Sequence, residues 1–169
     1  MRPRARELAA TLGLEPHPEG GFFLETYRAG ETVATPRGDR PLSTAILFLV
    51  TAEAISRLHR LASDELWVFQ GGLPLELVTI ERDGTARSRV LGESEERADE
   101  QRLPQALVPA GSWQGARLAG GPHLPADYAW ALVSCIVTPG FTDEDFELGE
   151  PDALLAEHPR HAELIRDFT

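Results

Sequence analysis

Short apolar segments separated by turn residues fill most of the chain, and this alternation is the feature that most restricts its fold. Between residues 54 and 138, seven segments have the composition of strands, and turns such as "ASD", "GGLP", "RDG" and "PAGS" separate them. Segments this short are typical of strands rather than of helices, and close turns join antiparallel neighbours. The pattern therefore predicts a mostly β protein, an antiparallel sandwich or barrel.

Two further segments, "FFLETYR" (22–28) and "STAILFLV" (43–50), extend the strand pattern toward the N-terminus. The first alternates, whereas the second is almost continuously apolar and is expected to be covered on both faces. The segment between them, "AGETVATPRGDRP" (29–41), is predicted to be a polar loop. The hairpin signal is clearest at "RDG" (82–84), which lies between two alternating runs.

Helical patterns occur at the two ends of the chain. In "RARELAATLGL", Leu8 and Leu12 have helical spacing and Gly13 provides a stop. Near the C-terminus, "DALLAEHPRHAELIRDF" is predicted to form two short helices that are interrupted at Pro159. We expect these helices to cap the barrel or to pack outside it.

Length and charge are those of one soluble globular domain. No repeat or linker divides the 169 residues, so residues 1–169 are expected to form a single domain. The net charge of −11 disfavours binding to nucleic acid or to an anionic membrane surface. No apolar run reaches the roughly 20 residues that cross a bilayer. The N-terminus also lacks the apolar region of a secretory signal, so a cytoplasmic protein is predicted.

The basic residues and the cysteine exclude several kinds of chemistry. All 16 basic residues are arginine, which excludes lysine Schiff bases, pyridoxal phosphate anchoring and the P-loop lysine. A single cysteine, Cys135, excludes an internal disulfide and a zinc site with several thiolates. Its apolar flank, "WALVSCIVT", predicts a buried and unreactive thiol.

The segment "HRLASDELWVFQGG" (59–72) places an imidazole and a carboxylate where they can converge. Side chains two residues apart in a strand share a face, so His59 is expected to share one with Arg57 and Leu61. A hairpin at "ASD" would bring His59 close to Glu65. If their common face is the inside of a barrel, the two groups meet in a cavity.

Two blocks of the sequence resemble the motifs of the cupin superfamily. The first cupin motif has two His one residue apart, then a Glu and a Gly, and here those positions hold His59, Leu61, Glu65 and Gly72. The second motif has Pro-x-Gly followed by a His, and "PAGSWQ" places Gln114 at that His position.

More specifically, the chain resembles an uncharacterised cupin family, known as a domain of unknown function. The resemblance lies in the blocks "HPEGGFF", "LHRLASDELW", "VPAGSWQGARL" and "CIVTPGFTDEDFELG", and it covers about residues 12–155. It implies a jelly-roll β-barrel with a small-molecule cavity, usually as a homodimer. It implies no particular activity.

The resemblance also bears on metal binding, because a cupin metal centre typically has three His and one Glu as ligands. This chain keeps His59 and Glu65 and replaces the other two ligands by Leu61 and Gln114. Leucine has no donor atom and a neutral amide is a weak ligand, so no cofactor and no tightly bound metal are expected. A weakly bound divalent ion would use His59, Glu65 and Gln114.

The remaining groups are better suited to proton transfer, and His59 and Glu65 are the predicted catalytic residues. An imidazole acts as a general acid or base near neutral pH. A carboxyl group in an apolar pocket can orient it or act as its complement. Metal-free sugar epimerases of the same superfamily use a His base, which is an analogy at the level of the fold.

Six other side chains are predicted to bind a ligand. Arg57 would bind a carboxylate or phosphate group, and Gln114 would form a directional hydrogen bond. Aromatic walls are expected from three residues: Trp67, Phe69 and Trp113. Alternatively, Arg57 faces solvent, and Trp67 and Phe69 fill the core.

The sixth ligand-binding candidate, Glu25, follows the segment "PEGGFF" (18–23). This segment is either a turn whose glycines adopt positive φ or a loop that brings Glu19 and Glu25 to the mouth of the barrel. The other histidines have no ligand spacing and are predicted at the surface: His17, His123, His158 and His161.

Three functions are compatible with these residues. The leading hypothesis is a homodimeric barrel that binds a small polar metabolite and carries out isomerase- or epimerase-like proton transfer on a sugar derivative. The second is a metal-assisted oxygenase or lyase that uses His59, Glu65 and Gln114. The third is a non-catalytic ligand-binding or sensor module.

Overall fold

Strands dominate the computed structural model, which describes residues 3–93, 102–120 and 124–169. The strands are β1 (Glu15–Pro16), β2 (Phe22–Arg28), β3 (Thr32–Thr35), β4 (Gly38–Pro41), β5 (Thr44–Thr51), β6 (Ser56–Leu61), β7 (Asp64–Gly72), β8 (Leu75–Ile80), β9 (Ala86–Leu91), β10 (Arg102–Leu103), β11 (Gln105–Val108), β12 (Trp113–Leu118), β13 (Trp130–Thr138) and β14 (Phe146–Leu148). The α-helices are α1 (Ala5–Leu12), α2 (Pro151–Glu157) and α3 (Ala162–Asp167). Short 3₁₀ helices cover Ala126–Tyr128, Asp143–Asp145 and Pro159–His161.

Two six-stranded sheets form the body of the protein. In one sheet the strand order is β1-β2-β5-β13-β7-β11, and in the other it is β10-β9-β8-β12-β6-β14. Neighbours are antiparallel except for the short pair β9 and β10. The predicted fold class, a mostly β jelly-roll barrel with a short N-terminal helix and C-terminal helices, is confirmed. The interruption of the C-terminal helices at Pro159 is confirmed as well.

The main core lies where β5, β7, β8, β12 and β13 turn their side chains toward one another. Phe48, Trp67, Leu77, Ala116 and Val133 are almost completely buried there. Apolar burial contributes about 25 cal/mol per Å², so this cluster is a principal source of stability. It fills one end of the barrel and leaves a cavity at the other.

The helices cover the outer faces of the sheets. Leu154 of α2 and Ile165 of α3 pack on Leu58 and Trp113, which lie on the outer face of β6 and β12. Helix α1 packs in the same way on the outer face of the first sheet, around Trp130. No helix in the described residues is long and apolar enough to span a bilayer.

The segment 29–41 is a β-hairpin, so the prediction of a polar loop there was wrong. Strands β3 and β4 pair in register from Thr32 opposite Pro41 to Thr35 opposite Gly38. β-branched residues in "TVAT" favour the extended conformation, and Gly38 has a positive φ of 102° at the turn. Sequence inspection gave the turn residues more weight than this short alternation.

A β-bulge in β6 changes which side chains point into the barrel. On β12, Gln114 lies opposite His59 and Ala116 lies opposite Ser56. The two strands therefore differ by one residue here, because His59 is three residues after Ser56 whereas Ala116 is two residues after Gln114. The extra residue breaks the two-residue alternation. Ser56 and His59 are therefore both buried, whereas Arg57 between them is exposed.

The histidines outside the first cupin-like block differ from their predicted surface positions. His158 is partly buried, and so is His161, whose Nε2 lies 2.8 Å from the carbonyl oxygen of Gly84. His17 lines a cavity that is described below. His123 lies outside the described residues, and the predicted burial of Cys135 is confirmed.

The turn before β2 gives a test of backbone packing. Gly20 has φ of 110°, and a methyl group there would overlap the carbonyl oxygen of Ile55. We expect Gly20→Ala to lower the free energy of unfolding by roughly 3 kcal/mol, because strain and overlap add. Gly84 has φ of 81° with open space around it, so Gly84→Ala should cost only about 1 kcal/mol. Equal losses in urea unfolding would contradict the predicted overlap.

Candidate functional site

A cavity of about 290 Å³ opens at the end of the barrel that the main core leaves free. Strands β2, β5, β6, β7 and β13 form its walls. The segment 17–19 before β2 and the segment 141–146 before β14 close over it. The cavity is lined mostly by apolar and aromatic groups, with a few polar groups that converge, as is usual for small-molecule sites.

His59 is buried in the cavity wall with both ring nitrogens engaged. Its Nδ1 lies 2.9 Å from the carbonyl oxygen of Arg57. A carbonyl oxygen only accepts, so Nδ1 carries a proton and Nε2 of the neutral ring is an acceptor. Nε2 lies 3.2 Å from Oε2 of Glu19. Burial lowers the pKa of His59, while the charge of Glu65 opposes that shift.

Glu19 is the acidic partner of His59 and is only 5% exposed. Its Oε1 accepts a hydrogen bond of 2.7 Å from the hydroxyl of Ser56. Burial raises the pKa of Glu19 to about 8, although the Ser56 hydrogen bond and the charge of Arg57 act in the opposite direction. Glu19 therefore holds its proton at neutral pH, and its Oε2 lies 3.2 Å from Nε2 of His59.

His17 contacts the same carboxyl group from the other side. Its Nδ1 lies 3.4 Å from Oε2 of Glu19 and accepts a hydrogen bond from the Glu19 backbone N–H. Burial, together with a smaller effect of His59, lowers the pKa of His17 to about 4. His17 is therefore neutral at physiological pH.

Glu65 is the second buried carboxyl group of the cavity. Its Oε2 accepts a hydrogen bond of 2.6 Å from Nε2 of Gln114, whose Oε1 accepts one of 2.9 Å from the Trp67 indole. Burial raises the pKa of Glu65 to about 7, while His59 lowers it and Glu19 raises it. Two carboxyl groups that titrate near neutrality thus face one cavity.

The structure brings together most of the residues predicted for the site. His59, Glu65 and Trp67 line the cavity, and Glu25 lies at its mouth. Gln114 is buried behind Glu65 and fixes that carboxyl group from outside the cavity. The expected approach of His59 to Glu65 across the hairpin is reflected in the electrostatic effect of each on the pKa of the other.

Arg57 lies outside the cavity, so it does not take the ligand-binding position predicted for it and matches the alternative of a solvent-facing residue. The bulge in β6 turns its side chain to solvent, where the guanidinium donates to the carbonyl oxygens of Pro18 and Glu19. These bonds hold the segment that carries Glu19 against β6. Arg57 therefore positions the site from outside.

Trp113 and Phe69 also lie away from the cavity. Successive residues of a strand face opposite ways, so Trp113 points out beneath the C-terminal helices when Gln114 points in. Phe69 is further along β7 than Trp67 and packs at the closed end of the barrel. Its position matches the alternative of a core residue.

Aromatic rings surround the polar groups. The ring centroids of His17 and Phe23 are 4.6 Å apart, edge to face, and the Phe146 ring stacks on His59 at 5.6 Å. Phe48 contacts both His17 and Trp67. Together these rings form a continuous aromatic wall.

Sequence inspection missed much of this arrangement. It named Glu19 only as a residue that could reach the mouth of the barrel, and it did not identify Phe146 or Phe141. The signal for Glu19 was the pair Gly20 and Gly21, whose positive φ lets the chain turn sharply beside β6. No periodicity distinguishes Phe146, because the short segment around it is irregular.

Comparison with known proteins identifies the family. The model of the Cupin superfamily (DUF985) matches residues 6–149. The chain belongs to this cupin family. A hypothetical protein from Leishmania major is 35% identical to it, with 98% of each chain covered and a TM-score of 0.88. A protein from Shewanella oneidensis is 34% identical, with 98% of this chain and 97% of that chain covered and a TM-score of 0.84.

Oxalate decarboxylase from Bacillus subtilis is a more distant cupin of known structure. It is 15% identical, with 91% of this chain and 36% of that chain covered and a TM-score of 0.53. At this identity the likeness concerns the fold alone. No curated protein sequence matches the chain.

The donor groups do not fit the usual cupin metal centre. Leu61 lines the cavity at one ligand position, and at another Oε1 of Gln114 already accepts from Trp67. Nε2 of His59, the ring nitrogen without a proton, contacts Glu19. Across the described ranges, no three His, Cys, Asp or Glu side chains are arranged to hold one ion.

The raised pKa of Glu65 predicts how stability depends on pH. The folded protein keeps this proton up to about pH 7 and the unfolded chain loses it near 4.5, so stability falls as pH rises between those values. Glu65→Gln has no group to titrate at this position. Between pH 5 and pH 8, its free energy of unfolding should therefore rise by roughly 2–3 kcal/mol relative to that of the parent.

Urea unfolding of both proteins at the two pH values measures this gain. The matched control is Glu147→Gln, because the Glu147 side chain is 53% exposed and pairs with Arg60 outside the cavity. An equal pH dependence in Glu65→Gln and the parent would contradict the assigned shift.

Proposed function

We propose that this cupin binds a small polar metabolite in the barrel and catalyses isomerase- or epimerase-like proton transfer on it. One observation carries the proposal: Glu65 and the contacting pair Glu19 and His59 face the same cavity. Groups that titrate near the working pH are the most effective general acids and bases. Glu65, with a pKa of about 7, and Glu19, with a pKa of about 8, meet this requirement.

The reaction we propose is a proton transfer next to a carbonyl group. The ionised Glu65 removes a proton from the carbon beside the carbonyl, and the electron pair moves to the carbonyl oxygen. That oxygen takes the proton of Glu19, which gives an enediol when the neighbouring carbon carries a hydroxyl group. Glu65 then gives its proton to the former carbonyl carbon, and the neighbouring hydroxyl group gives its proton to Glu19 and becomes the new carbonyl group. The product is an isomer, Glu65 is ionised again and Glu19 is protonated again.

A sugar derivative suits the walls of this cavity. The aromatic rings of Phe23, Phe48 and Phe146 can pack against C–H groups of a sugar ring. Carboxyl and imidazole groups supply donors and acceptors for its hydroxyl groups.

We also propose that the activity needs no tightly bound metal, because the donor atoms that a cupin metal would use are engaged elsewhere. Elemental analysis of protein made without an affinity tag should find far less than one metal ion per chain. Near-stoichiometric metal that is lost in His59→Ala would instead favour a metal-assisted oxygenase or lyase.

Deuterium wash-in tests the proton transfer. The purified protein is screened by native mass spectrometry for a retained ligand, and that ligand is incubated with the protein in D₂O. We expect the parent and Glu147→Gln to exchange a carbon-bound proton and Glu65→Gln to lose at least about 100-fold in rate. Binding without exchange in the parent would favour the non-catalytic sensor module.

We propose that the protein is a homodimer that pairs through β2. One edge of β2 pairs with β5, and on the other edge β1 pairs only with Phe22 and Phe23. Within the described residues, no strand pairs with that second edge at residues 24–28. Exposed strand edges favour pairing with another strand. Leu24 and Tyr27 are 37% and 57% exposed on this strand.

Sedimentation velocity tests the assembly. Leu24→Arg combined with Tyr27→Glu should shift the protein from dimer to monomer, because charge is placed on the pairing edge. The control Leu107→Arg changes a residue that is 48% exposed on β11, at the opposite edge of the same sheet. A monomeric parent, or dissociation by the control alone, would contradict pairing through β2.

A further inference from the structure

The cavity has a marked excess of acidic groups. Four of its lining residues are acidic, two at the mouth and two inside, and they are Glu25, Asp143, Glu19 and Glu65. Within the described residues, Arg28 is the one arginine among the lining side chains. A ligand that complements this charge is cationic rather than anionic.

Arg28 is not available to neutralise the interior. Its Nε and Nη2 donate to the carboxylate of Glu25 at 2.9 Å and 2.6 Å, and its Nη1 donates to the carbonyl oxygen of Phe141 at 3.1 Å. Asp143 adds a second negative charge beside it. The arginine at the mouth is therefore already paired.

The side chains that contact the two inner carboxyl groups within the cavity are neutral, and the charge of Arg57 acts on Glu19 only from outside the cavity. Glu19 accepts from Ser56 and contacts the imidazoles of His17 and His59, and Glu65 accepts from Gln114. Over the described part of the chain, no arginine forms an ion pair with either group. Ionising a buried carboxyl group without a paired cation is costly, so a cation that enters the cavity would stabilise the ionised form of both groups.

The aromatic wall adds a second, independent preference for a cation. His17, Phe23, Phe48, Phe141 and Phe146 all line the same cavity, and their rings contact one another at centroid distances of 4.6–6.3 Å. The faces of aromatic rings attract cations and especially organic ammonium groups. A metal ion fits less well, because no three His, Cys, Asp or Glu side chains among the described residues converge on one point.

We propose that the ligand of this cavity carries a protonated amine, which lies between the carboxyl groups of Glu19 and Glu65 with aromatic rings around it. The inference deepens the proposed function and rests on the same cavity; on a sugar ligand, the group would be an amino substituent. Binding would draw the carboxyl groups into their ionised form and release protons.

The pH dependence follows from the groups that face the ammonium position. They come from the 17–19 segment, β2, β6, β7, β13 and the segment before β14, and they are His17, Glu19, Glu25, Arg28, His59, Glu65, Cys135 and Asp143. Glu65 and Glu19 have pKa values of about 7 and about 8. Affinity for an ammonium group should therefore rise with pH through this range, as both carboxyl groups ionise.

A series of three probes of matched shape separates charge from size. Benzylammonium, benzyl alcohol and benzoate differ in charge and share an aromatic ring. Calorimetric titration of the full chain at about pH 8.5 should give benzylammonium an affinity at least about tenfold above that of benzyl alcohol, with benzoate weakest. The preference should shrink at about pH 5.5, where both carboxyl groups are protonated.

Two further measurements tie the preference to these carboxyl groups. In buffers of different ionisation enthalpy, benzylammonium should release protons on binding at neutral pH and benzyl alcohol should not. Glu65→Gln should reduce the preference for benzylammonium about tenfold, whereas Glu147→Gln should leave it unchanged. If Glu65→Gln does not fold, the proton release and pH dependence of the parent decide.

Equal or tighter binding of benzyl alcohol or benzoate, or no binding of benzylammonium in the millimolar range, would overturn the inference. These titrations require no turnover. Deuterium exchange into a neutral ligand would support the proposed function and contradict the amine ligand. Binding of the amine without any exchange would support the amine ligand and contradict the proposed function.

Discussion

The site depends on the bonds that hold Glu19 against β6. The carbonyl oxygen of Glu19 accepts from the backbone N–H of Arg57 at 2.9 Å and from its guanidinium Nε at 3.2 Å. Pro18 is fixed by the same guanidinium. These contacts keep the carboxyl group of Glu19 inside the barrel, next to His59, although burial makes its ionised form unfavourable. A surface arginine thereby maintains the charge arrangement of an interior cavity.

The bulge in β6 orients the side chains that contact the carboxyl group of Glu19. By adding one residue between Ser56 and His59, it lets both side chains point inward and reach the two oxygens of Glu19. A regular strand would place only residues of equal parity inside. The local irregularity is thus what assembles the hydroxyl, carboxyl and imidazole groups. Bulges are frequent next to functional sites for this reason.

The fold could be predicted from the sequence further than the site could. Alternation and turn residues predicted an antiparallel sandwich or barrel, and the resemblance of four sequence blocks to a cupin family narrowed this to a jelly-roll barrel. The inward position of Arg57 was derived from ideal alternation, and the bulge that overturns it leaves no trace in the pattern of residue types. Glu19 is far from His59 in sequence, and their contact arises from the path of an irregular segment.

The residues at the cupin metal-ligand positions show the same difference between what the sequence predicts and what the structure adds. The absence of two ligands was evident from Leu61 and Gln114, but the use of Gln114 was not. In the structure its amide bridges the Trp67 indole and the Glu65 carboxyl group, so the position serves to fix a carboxyl group. Only side-chain geometry distinguishes that role from weak ligation.

The strand that carries His59 is also held by the segment that follows α3. The backbone N–H of Leu58 donates to the carbonyl oxygen of Phe168 at 2.8 Å, and the carbonyl oxygen of Leu58 accepts from Gly149 at 2.7 Å. Phe168 is itself buried and packs in the same cluster as Leu58. The segment after α3 is thus a mechanical part of the pocket wall, one peptide unit away from the imidazole. A change at Phe168 therefore reaches the strand that carries His59, although Phe168 is not among the residues that line the cavity.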